Sequence, residues 1–422
     1  MHSQAFVALG SQLLGQVLQF KHPADGTVSQ FVRDHRQLGP RERHALSDAV
    51  FTVLRDWPRY KALAASRPQG MALHDALAWL SLLPYAQAQG WAQAPDAAAP
   101  LAWATQALAR TDLSPDVALG LQPWLAQALQ PELGDDLPAL AQSLKTPAPL
   151  DVRVNLLHTK RTAAAQRLAQ EGVASQPTPY SPWGLRLDGK PSLAKVGAYQ
   201  DGWVEVQDEG SQLLALLLQP KRNETVVDFC AGAGGKTLAL GAMMRNTGRL
   251  YAMDTSAHRL DGLKPRAQKS GITEVHTLVL AHEHDERLAR MAAKADRVLV
   301  DAPCSGLGTL RRNPDLQWRL SLQDLEALQA VQLSILHSAA KLVKPGGRLV
   351  YATCSLLTQE NEAVARAFEA GQRDWIKLDA AEVLQAAGVE AAPSLCRQGY
   401  LRLWPHRHHT DGFFAAVWER KP

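Results

Sequence analysis

Two cysteines in the second half of the chain each follow an apolar segment of the kind that forms a buried strand. Cys304 closes the segment ADRVLVDAPC, three positions after Asp301, and Cys354 closes GGRLVYATC. A free cysteine is most often a buried and inert apolar side chain. Two thiols at the ends of two such strands instead indicate nucleophilic chemistry, since a thiolate can attack an electron-poor carbon. A zinc pair fits less well, because no Cys-x-x-Cys spacing or suitable histidine accompanies either cysteine.

A glycine-rich segment earlier in the chain predicts a ligand that contains a nucleoside. Residues Cys230 to Thr237 read CAGAGGKT after the apolar strand ETVVDF, and Asp254 ends the next strand, where it could accept hydrogen bonds from ribose hydroxyls. The dinucleotide fingerprint G-x-G-x-x-G/A lacks its third small residue at Thr237, and a P-loop lacks its first glycine at Cys230. S-adenosylmethionine requires neither residue. The segment favours this cofactor and leaves a dinucleotide open.

These candidate residues all follow strands that alternate with helical segments from about residue 209 onward. The strands are ETVVDFC, GRLYAMD, EVHTLVL, ADRVLVDAP and GGRLVYATCS. Apolar strands alternating with helices are typical of a doubly wound, mostly parallel sheet. Ligands of such sheets bind beyond the carboxyl ends of the strands. We therefore predict an α/β, Rossmann-like domain over residues 206–422.

Two further domains are predicted before this one. Residues 1–145 carry helical patterns interrupted by prolines, which predicts an all-helical domain. Residues 146–205 combine the strand LDVRVNLL with the helix RTAAAQRLAQEG, which predicts a small α+β module. Basic side chains of the module could contact phosphate groups or be solvated surface charges: Arg153, Lys160, Arg161, Arg167 and Arg186.

The composition excludes several classes of protein. With 46% hydrophobic and 20% charged residues over 422 positions, the chain can bury cores and is not disordered. Four cysteines are too few for a disulfide framework and are typical of reduced, cytosolic thiols. The start is not a signal peptide, and no apolar run is long enough to span a membrane, so we expect a cytoplasmic protein.

The net charge of +4 conceals an uneven distribution along the chain. Nine Lys and Arg stand against five Asp and Glu from Lys21 to Arg67, and two stand against seven from Pro68 to Lys145. Such an asymmetry indicates a nucleic-acid partner or a helix with a solvated charged face.

The chain resembles the RsmB/NOP (Fmu/Sun) family of RNA cytosine-5 methyltransferases, bacterial type. The resemblance rests on DFCAGAGGKT, AMD, DAPCSGLGTLRRNPD and YATCSLLTQENE and extends over roughly residues 145–420, with a weaker likeness in the helical part. It implies a class I methyltransferase domain, an RRM-like module over 146–205 and an RNA-binding helical domain over 1–145. It also implies S-adenosyl-L-methionine as cofactor and RNA as partner, with ribosomal RNA ahead of transfer RNA. We expect a monomer without metal or membrane contact.

The resemblance also implies a role for each site residue. Cys354 would attack carbon 6 of cytosine, which makes carbon 5 able to take the methyl group. Cys304 would release the adduct, and Asp301 would activate the base. Lys236 is a candidate to favour the nucleophilic thiolate, because a free thiol has a pKa of about 8.5. The cofactor-binding set comprises Cys230, Ala231, Gly232, Ala233, Gly234, Gly235, Lys236, Asp254 and Asp301.

The resemblance also implies residues for RNA binding and adenine binding. A base must leave its stack before a thiol can reach it, and Arg311 and Arg312 are placed to hold phosphates near the flipped nucleotide. Family members usually carry an acid after the third strand, near the adenine amino group, where this chain has Ala281. Glu283 or Asp285 could replace it. The loop reads GAGG where the family often has APGG, so it should be more flexible.

Two other functions stay open. DNA cytosine-5 methyltransferases place their nucleophile in a Pro-Cys motif, which would make Cys304 the attacking residue. A catalytically idle RNA-binding or assembly protein could have kept the fold, although Asp254, Asp301 and both cysteines argue against it. The histidines of WPHRHH lack an acid or cysteine at ligand spacing, so we expect no metal there.

Overall fold

The chain divides into two compact units in the computed structural model, which describes residues 2–422. The helical unit comprises the chain up to Pro147 together with Thr309–Ser321, and the sheet unit comprises Ala148–Gly308 and Leu322–Pro422. Within residues 2–422, every helix is too short or too polar to cross a membrane.

The helical unit consists of short helices, and the apolar faces of those in the first 108 residues share one core, which includes Phe6, Leu13, Leu46 and Leu77. Several helices begin with proline in the first turn, where its missing N–H group leaves no hydrogen bond unmade. The helices are α1 (Ser3–Val17), α2 (Ala24–Asp34), α3 (Pro40–Arg55), α4 (Trp57–Ala64), α5 (Leu73–Ser81), α6 (Leu83–Ala88), α7 (Ala98–Leu108), α8 (Pro115–Leu119), α9 (Pro123–Leu133) and α10 (Leu137–Leu144).

The sheet unit begins with a four-stranded antiparallel sheet in the order β2-β3-β1-β4. Its strands are β1 (Leu150–Val154), β2 (Ser175–Pro177), β3 (Gly184–Leu187) and β4 (Val204–Val206), and its helices are α11 (Arg161–Gln170) and α12 (Gly197–Gln200). The strand and helix predicted at the start of this module are both present.

The larger sheet has nine strands in the order β11-β12-β13-β9-β8-β5-β6-β7, and β10 pairs with β13. The strands are β5 (Thr225–Asp228), β6 (Arg249–Asp254), β7 (Val275–Val279), β8 (Ala295–Asp301), β9 (Val343–Thr353), β10 (Trp375–Leu378), β11 (Cys396–Arg397), β12 (Tyr400–Leu403) and β13 (Phe413–Arg420). Strands β5 to β9 are parallel, and β10 to β13 extend the sheet in antiparallel fashion. The predicted α/β, Rossmann-like class is confirmed, with an antiparallel extension that the sequence patterns did not indicate.

Helices connect the strands of the larger sheet. They are α13 (Glu209–Leu218), α14 (Gly235–Met243), α15 (Ala257–Lys269), α16 (Leu316–Arg319, in the helical unit), α17 (Leu322–Ala340), α18 (Glu362–Gly371), α19 (Ala380–Ala386), α20 (Ala392–Leu395) and α21 (Pro405–His408). The central strands β5 and β8 have the sequences TVVD and ADRVLVD. Their apolar residues suit strands that are covered on both faces. Because β5, β6, β8 and β9 are parallel, their carboxyl ends bring Asp228, Asp254, Asp301 and Thr353 to one edge of the sheet.

The segment Thr309–Ser321 packs with the helices although it lies inside the predicted C-terminal domain. Trp318 Nε1 donates to the carbonyl of Leu54 at 3.2 Å, and the Asp315 carboxylate accepts from the backbone N–H of Ala24 at 3.2 Å. These hydrogen bonds explain why the packing units depart from the predicted boundary at this segment. The division into three domains stays a prediction.

Candidate active site

A cavity of about 550 Å³ opens at the carboxyl edge of the parallel strands. Most of the predicted site residues line it: Cys230, Ala231, Gly232, Ala233, Gly235, Lys236, Asp254, Asp301, Cys304 and Cys354. Gly234 packs against Leu263 of α15 instead of lining the cavity. The cavity is the place that the topology of a doubly wound sheet provides for a ligand.

The two predicted reactive cysteines lie side by side at this cavity. Their Sγ atoms are 3.4 Å apart, because β8 and β9 are neighbouring parallel strands and each cysteine follows its strand closely. The hydrogen bond with Cys354, together with burial, raises the pKa of the Cys304 thiol well above its usual value. Cys304 is therefore a protonated thiol at neutral pH and can donate a hydrogen bond to the sulfur of Cys354.

A lysine and an aspartate form an ion pair beside the thiols. Lys236 Nζ lies 2.6 Å from Asp301 Oδ2, joining the first turn of α14 to the end of β8. Burial alone would lower the pKa of Lys236, but the negative charges of Asp301 and Cys354 act against it and the net direction is upward. Lys236 is thus a fixed cation next to the nucleophile predicted from the motifs.

The other two cysteines have different surroundings. Burial is the largest cause that raises the pKa of the Cys230 thiol, which lines the cavity at the glycine loop. Cys396 in β11 does not line the cavity, and burial raises its pKa to about 12. Cys396 therefore offers a control thiol away from the candidate site.

The loops that carry the two reactive cysteines are hydrogen-bonded to each other. We name residues 302–308 the first thiol loop and residues 354–361 the second thiol loop. The backbone N–H of Gly308 donates to the carbonyl of Cys354 at 2.8 Å. A Cβ atom at Gly308 would lie 2.0 Å from the carbonyl oxygen of Gly412, so only glycine allows this approach.

The buried carboxylate of Glu360 joins both thiol loops and was missed by the sequence analysis. It accepts hydrogen bonds from Ser305 and Ser355, the residues that follow Cys304 and Cys354. The only signal was the acidic ENE at the end of YATCSLLTQENE, which does not by itself indicate burial.

The glycine loop is shaped by Asp254 and by its own backbone. Asp254 accepts hydrogen bonds from the backbone N–H groups of Gly232 and Ser256, both at 2.8 Å. Gly234 has φ +85°, a conformation that residues with a side chain rarely adopt. A Cβ atom there would lie 2.1 Å from Leu263 Cδ1.

Two arginines hold the carbonyl groups of this loop. Arg153 of β1 donates to the carbonyl of Gly235 at 2.8 Å, and Arg266 of α15 donates to the carbonyl of Ala233 and, at 2.9 Å, to Glu205. The absence of proline from GAGG is therefore offset by side-chain hydrogen bonds. Arg153 is buried by this contact and is not available to RNA phosphates, contrary to one of our interpretations.

Two other basic side chains of the module are also engaged by acids. Arg167 pairs with Glu171 at 3.0 Å, and Arg186 pairs with Asp151 at 2.7 Å. These ion pairs weaken the interpretation that the module presents them to phosphate groups.

The lining of the cavity distinguishes the two candidate acids for adenine. Glu283 lines the cavity together with the apolar side chains of Leu280 and Ile335, and it accepts a hydrogen bond from Ser334 at 2.7 Å. That hydrogen bond is the main cause that lowers the pKa of Glu283. Asp285 does not line the cavity.

The carboxylate of Asp285 instead stabilises its own turn. It accepts from the backbone N–H of Ala281 at 2.9 Å and pairs with Arg287 at 2.6 Å. Glu283 is therefore the acid that can reach a ligand.

Asp228, at the end of β5, is a further cavity residue that the motifs did not single out. It is fully buried, and Thr237 donates to its Oδ2 at 2.7 Å. Its Oδ1 atom is buried without a hydrogen-bond partner among the described residues 2–422. Burial raises the pKa of Asp228 to about 7.

Some predicted features lie outside the cavity. Arg311 and Arg312 belong to the segment that packs with the helical unit and are not among the residues lining the cavity. Across residues 2–422, His, Cys, Asp and Glu side chains form no group of three suited to hold a metal ion. His408 of the WPHRHH segment is hydrogen-bonded to the backbone N–H of Trp404 at 2.8 Å.

The sheet topology and the site together define a Rossmann-like domain with a pair of thiols at its ligand-binding edge. Residues 215–419 match the family model described as 16S rRNA methyltransferase RsmB/F. Residues 122–194 match the model of a ferredoxin-like domain of RsmF/B-like methyltransferases.

Individual relatives of the chain are also named as ribosomal RNA methyltransferases. The chain is 38% identical over 273 residues to a probable ribosomal RNA small subunit methyltransferase B of Synechocystis, covering 63% of this chain and 59% of the relative. It is 36% identical to a probable ribosomal RNA small subunit methyltransferase B of Bacillus subtilis, covering 64% and 59%. The matched part thus spans about three-fifths of these relatives.

A solved structure also matches the chain. The crystal structure of a methyltransferase homologue from Pyrococcus horikoshii superposes with a TM-score of 0.61 at 28% identity, covering 73% of this chain and all of that one. The chain belongs to the RsmB/F methyltransferase family, as the motifs predicted.

Proposed function

We propose that this protein is an S-adenosylmethionine-dependent RNA methyltransferase that modifies carbon 5 of a cytosine in small-subunit ribosomal RNA. The observation that carries the proposal is the pair of thiols at 3.4 Å beside the Lys236–Asp301 ion pair, in the cavity that faces the glycine loop. Methylation of ribosomal RNA is the activity named for the family and for the matched relatives.

Cys354 is the proposed nucleophile. Its sulfur forms a covalent bond with carbon 6 of the cytosine, and carbon 5 then has the electron density to accept a methyl group. Lys236 supports the thiolate by its fixed positive charge. Asp301 accepts from Lys236 through one oxygen, and the other oxygen of the same carboxylate can accept a hydrogen bond from the base.

Cys304 is proposed to act when the adduct breaks down. After methylation, carbon 5 loses its proton to solvent, and the electron pair of that C–H bond restores the ring double bond as the bond between carbon 6 and the sulfur of Cys354 breaks. A protonated Cys304 at 3.4 Å can donate to the departing sulfur and stabilise the thiolate that leaves. Loss of Cys304 should therefore leave the protein trapped on its RNA.

The residues of the cavity fit S-adenosylmethionine, which supplies an electrophilic methyl group when it is bound. The unpartnered Oδ1 of Asp228 can accept a hydrogen bond from the ammonium of the methionine part. Each oxygen of Asp254 accepts one backbone hydrogen bond and keeps a lone pair for a ribose hydroxyl. Leu280 and Ile335 provide apolar walls for an adenine, and Glu283 can accept from its amino group.

Substitution of the cysteines tests the proposal. The Cys354→Ala and Cys304→Ala variants are incubated with radiolabelled S-adenosylmethionine and 16S ribosomal RNA, and methyl transfer and covalent protein–RNA adducts are measured. We expect Cys354→Ala to lose at least about 10³-fold of its activity and to form no adduct. Cys304→Ala should accumulate a persistent adduct.

The controls separate the alternatives. Cys396→Ala should retain wild-type activity, since this thiol lies away from the cavity. Transfer RNA and DNA containing cytosine serve as competing substrates. An adduct that persists in Cys354→Ala and is lost in Cys304→Ala would favour a DNA-type mechanism with Cys304 as nucleophile. A wild-type protein that binds RNA without methylating it would favour the idle RNA-binding protein.

A further inference from the structure

Glu360 belongs to the second thiol loop, and its carboxylate accepts hydrogen bonds from residues of both thiol loops. Its side chain is fully buried, and the hydrogen bonds to its carboxylate come from neutral donors. A buried carboxylate is costly unless its oxygens are satisfied by hydrogen bonds. The arrangement around Glu360 meets this requirement and must therefore be held in place whenever the site is folded.

The donors come from both sides of the thiol pair. In the first thiol loop, Ser305 donates its backbone N–H at 2.7 Å and its hydroxyl at 2.5 Å. In the second thiol loop, the hydroxyl of Ser355 donates to the same oxygen that binds the Ser305 hydroxyl. The residues directly after Cys304 and Cys354 thus share one acceptor.

A third element completes the cluster. Gln332 of α17 donates from Nε2 to Glu360 at 2.9 Å and to the carbonyl of Pro303 at 3.0 Å. Pro303 immediately precedes Cys304, so this cysteine has a neighbour on each side tied to the cluster. The Tyr351 hydroxyl donates to the backbone carbonyl of Glu360 at 2.6 Å, which fixes the second loop to β9.

We propose that Glu360 is a positioning residue that sets the distance between the two thiols. The proposal rests on the proposed function for the roles of Cys354 and Cys304, but the geometry that it concerns can be measured without RNA. Glu360 is not expected to touch substrate, because it does not line the cavity. Its charge is also a minor contributor to the raised pKa of Cys304, after the Cys354 hydrogen bond and burial.

The direct test measures how close the thiols are held. In glutathione buffers of graded reduced-to-oxidised ratio, thiol–disulfide exchange forms a Cys304–Cys354 disulfide and releases two equivalents of reduced glutathione for each oxidised one consumed. The position of this equilibrium gives the effective concentration of the Cys304 thiol relative to the Cys354 thiol, which increases as the two sulfurs are held closer together. Peptide mapping of the full-length protein quantifies the disulfide.

We expect Glu360→Gln to lower the effective concentration at least tenfold. Glutamine keeps the size of the side chain but directs an NH₂ group at donors, so at least one loop loses its acceptor. The matched control is Glu224→Gln, which removes the charge of a carboxylate paired with Arg297 at the opposite end of β5. The control should leave the disulfide equilibrium unchanged.

A folded Glu360→Gln protein with the wild-type equilibrium would overturn the proposal. If Glu360→Gln does not fold, Ser355→Ala removes one arm of the cluster and should lower the effective concentration severalfold, and an unchanged value there overturns the proposal equally. In the methylation assay, Glu360→Gln should lower kcat at least tenfold with KM for S-adenosylmethionine unchanged. A wild type inactive on RNA would count against the proposed function alone, because the disulfide measurement needs neither RNA nor cofactor.

Discussion

The two ends of the cavity are built in different ways. At the thiol end, the chemistry depends on side chains: two sulfurs, an ion pair and a buried carboxylate that joins two loops. At the glycine-loop end, the backbone of the loop lines the cavity, and two arginines donate hydrogen bonds to its carbonyl groups. The thiol end carries reactive side chains, whereas the glycine-loop end provides a backbone surface that can fit a ligand.

This difference leads to different expectations for mutations. A side chain that supports a reacting group acts mainly in the transition state, so its loss should lower kcat. A backbone that fits a ligand acts in the bound state, so its distortion should weaken binding and lower the stability of the fold. Substitutions at each end of the cavity test this separation.

The largest effect at the thiol end, apart from the cysteines, is expected for Lys236→Met. This change removes the cation beside Cys354 and leaves Asp301 without its partner at 2.6 Å. We expect kcat to fall about 10²–10³-fold, the usual cost of losing one preorganised electrostatic group. The KM for S-adenosylmethionine should change much less, as measured by initial rates of methyl transfer.

The same substitution at Lys264 is the matched control. Lys264 lies on the exposed face of α15, and its pair with Asp261 is largely solvated. Lys264→Met should leave both constants unchanged, because exposed ion pairs contribute little. A Lys236→Met variant that kept its kcat and lost cofactor binding would remove the distinction between the two ends.

At the glycine-loop end, Gly234→Ala should act on stability and binding together. The new Cβ would lie 2.1 Å from Leu263 Cδ1, and φ +85° is strained for alanine. We expect the free energy of unfolding to fall by roughly 2–4 kcal/mol. The Kd for S-adenosylmethionine, measured by calorimetry, should rise at least tenfold because the loop must move.

Gly262→Ala provides the control for this prediction. Gly262 is exposed in the middle of α15, and a Cβ there meets no atom within 4 Å. Alanine should raise the free energy of unfolding by up to about 1 kcal/mol, since it favours the helix. Equal stability losses in both variants would show that helix packing, rather than the loop conformation, governs this end.

The parts that the sequence could predict are those that follow from periodicity and strand order. Each predicted strand of the parallel sheet is present, because apolar runs between helices have few other ways to be buried. The location of Cys304 and Cys354 at the ligand-binding edge followed from their positions after two strands, which the structure pairs in parallel register. Strand ends are fixed by topology, so residues placed there can be located in advance.

The parts that the sequence could not predict depend on side chains reaching across the fold. Arg153 and Gly235 are 82 positions apart, and no local pattern indicates that one binds the other. Gln332 belongs to a helix whose spacing predicts a buried face but not which loop that face meets. Glu360 resembled a surface charge, and only the three-dimensional structure shows that both thiol loops converge on it.

The smallest effect is expected for the two acids considered for adenine binding, because Glu283 lines the cavity and Asp285 does not. Glu283→Gln should raise the Kd for S-adenosylmethionine about three- to tenfold with kcat unchanged, because a neutral amide accepts more weakly from an amino group. Asp285→Asn should leave that Kd unchanged and lower the free energy of unfolding, since the carboxylate binds Ala281 and Arg287 within its own turn. Calorimetric titration and urea unfolding of both variants measure the two quantities. A larger loss of affinity in Asp285→Asn than in Glu283→Gln would contradict the assignment of Glu283. It would show that the backbone turn held by Asp285, and not the Glu283 side chain, governs cofactor binding in this part of the cavity.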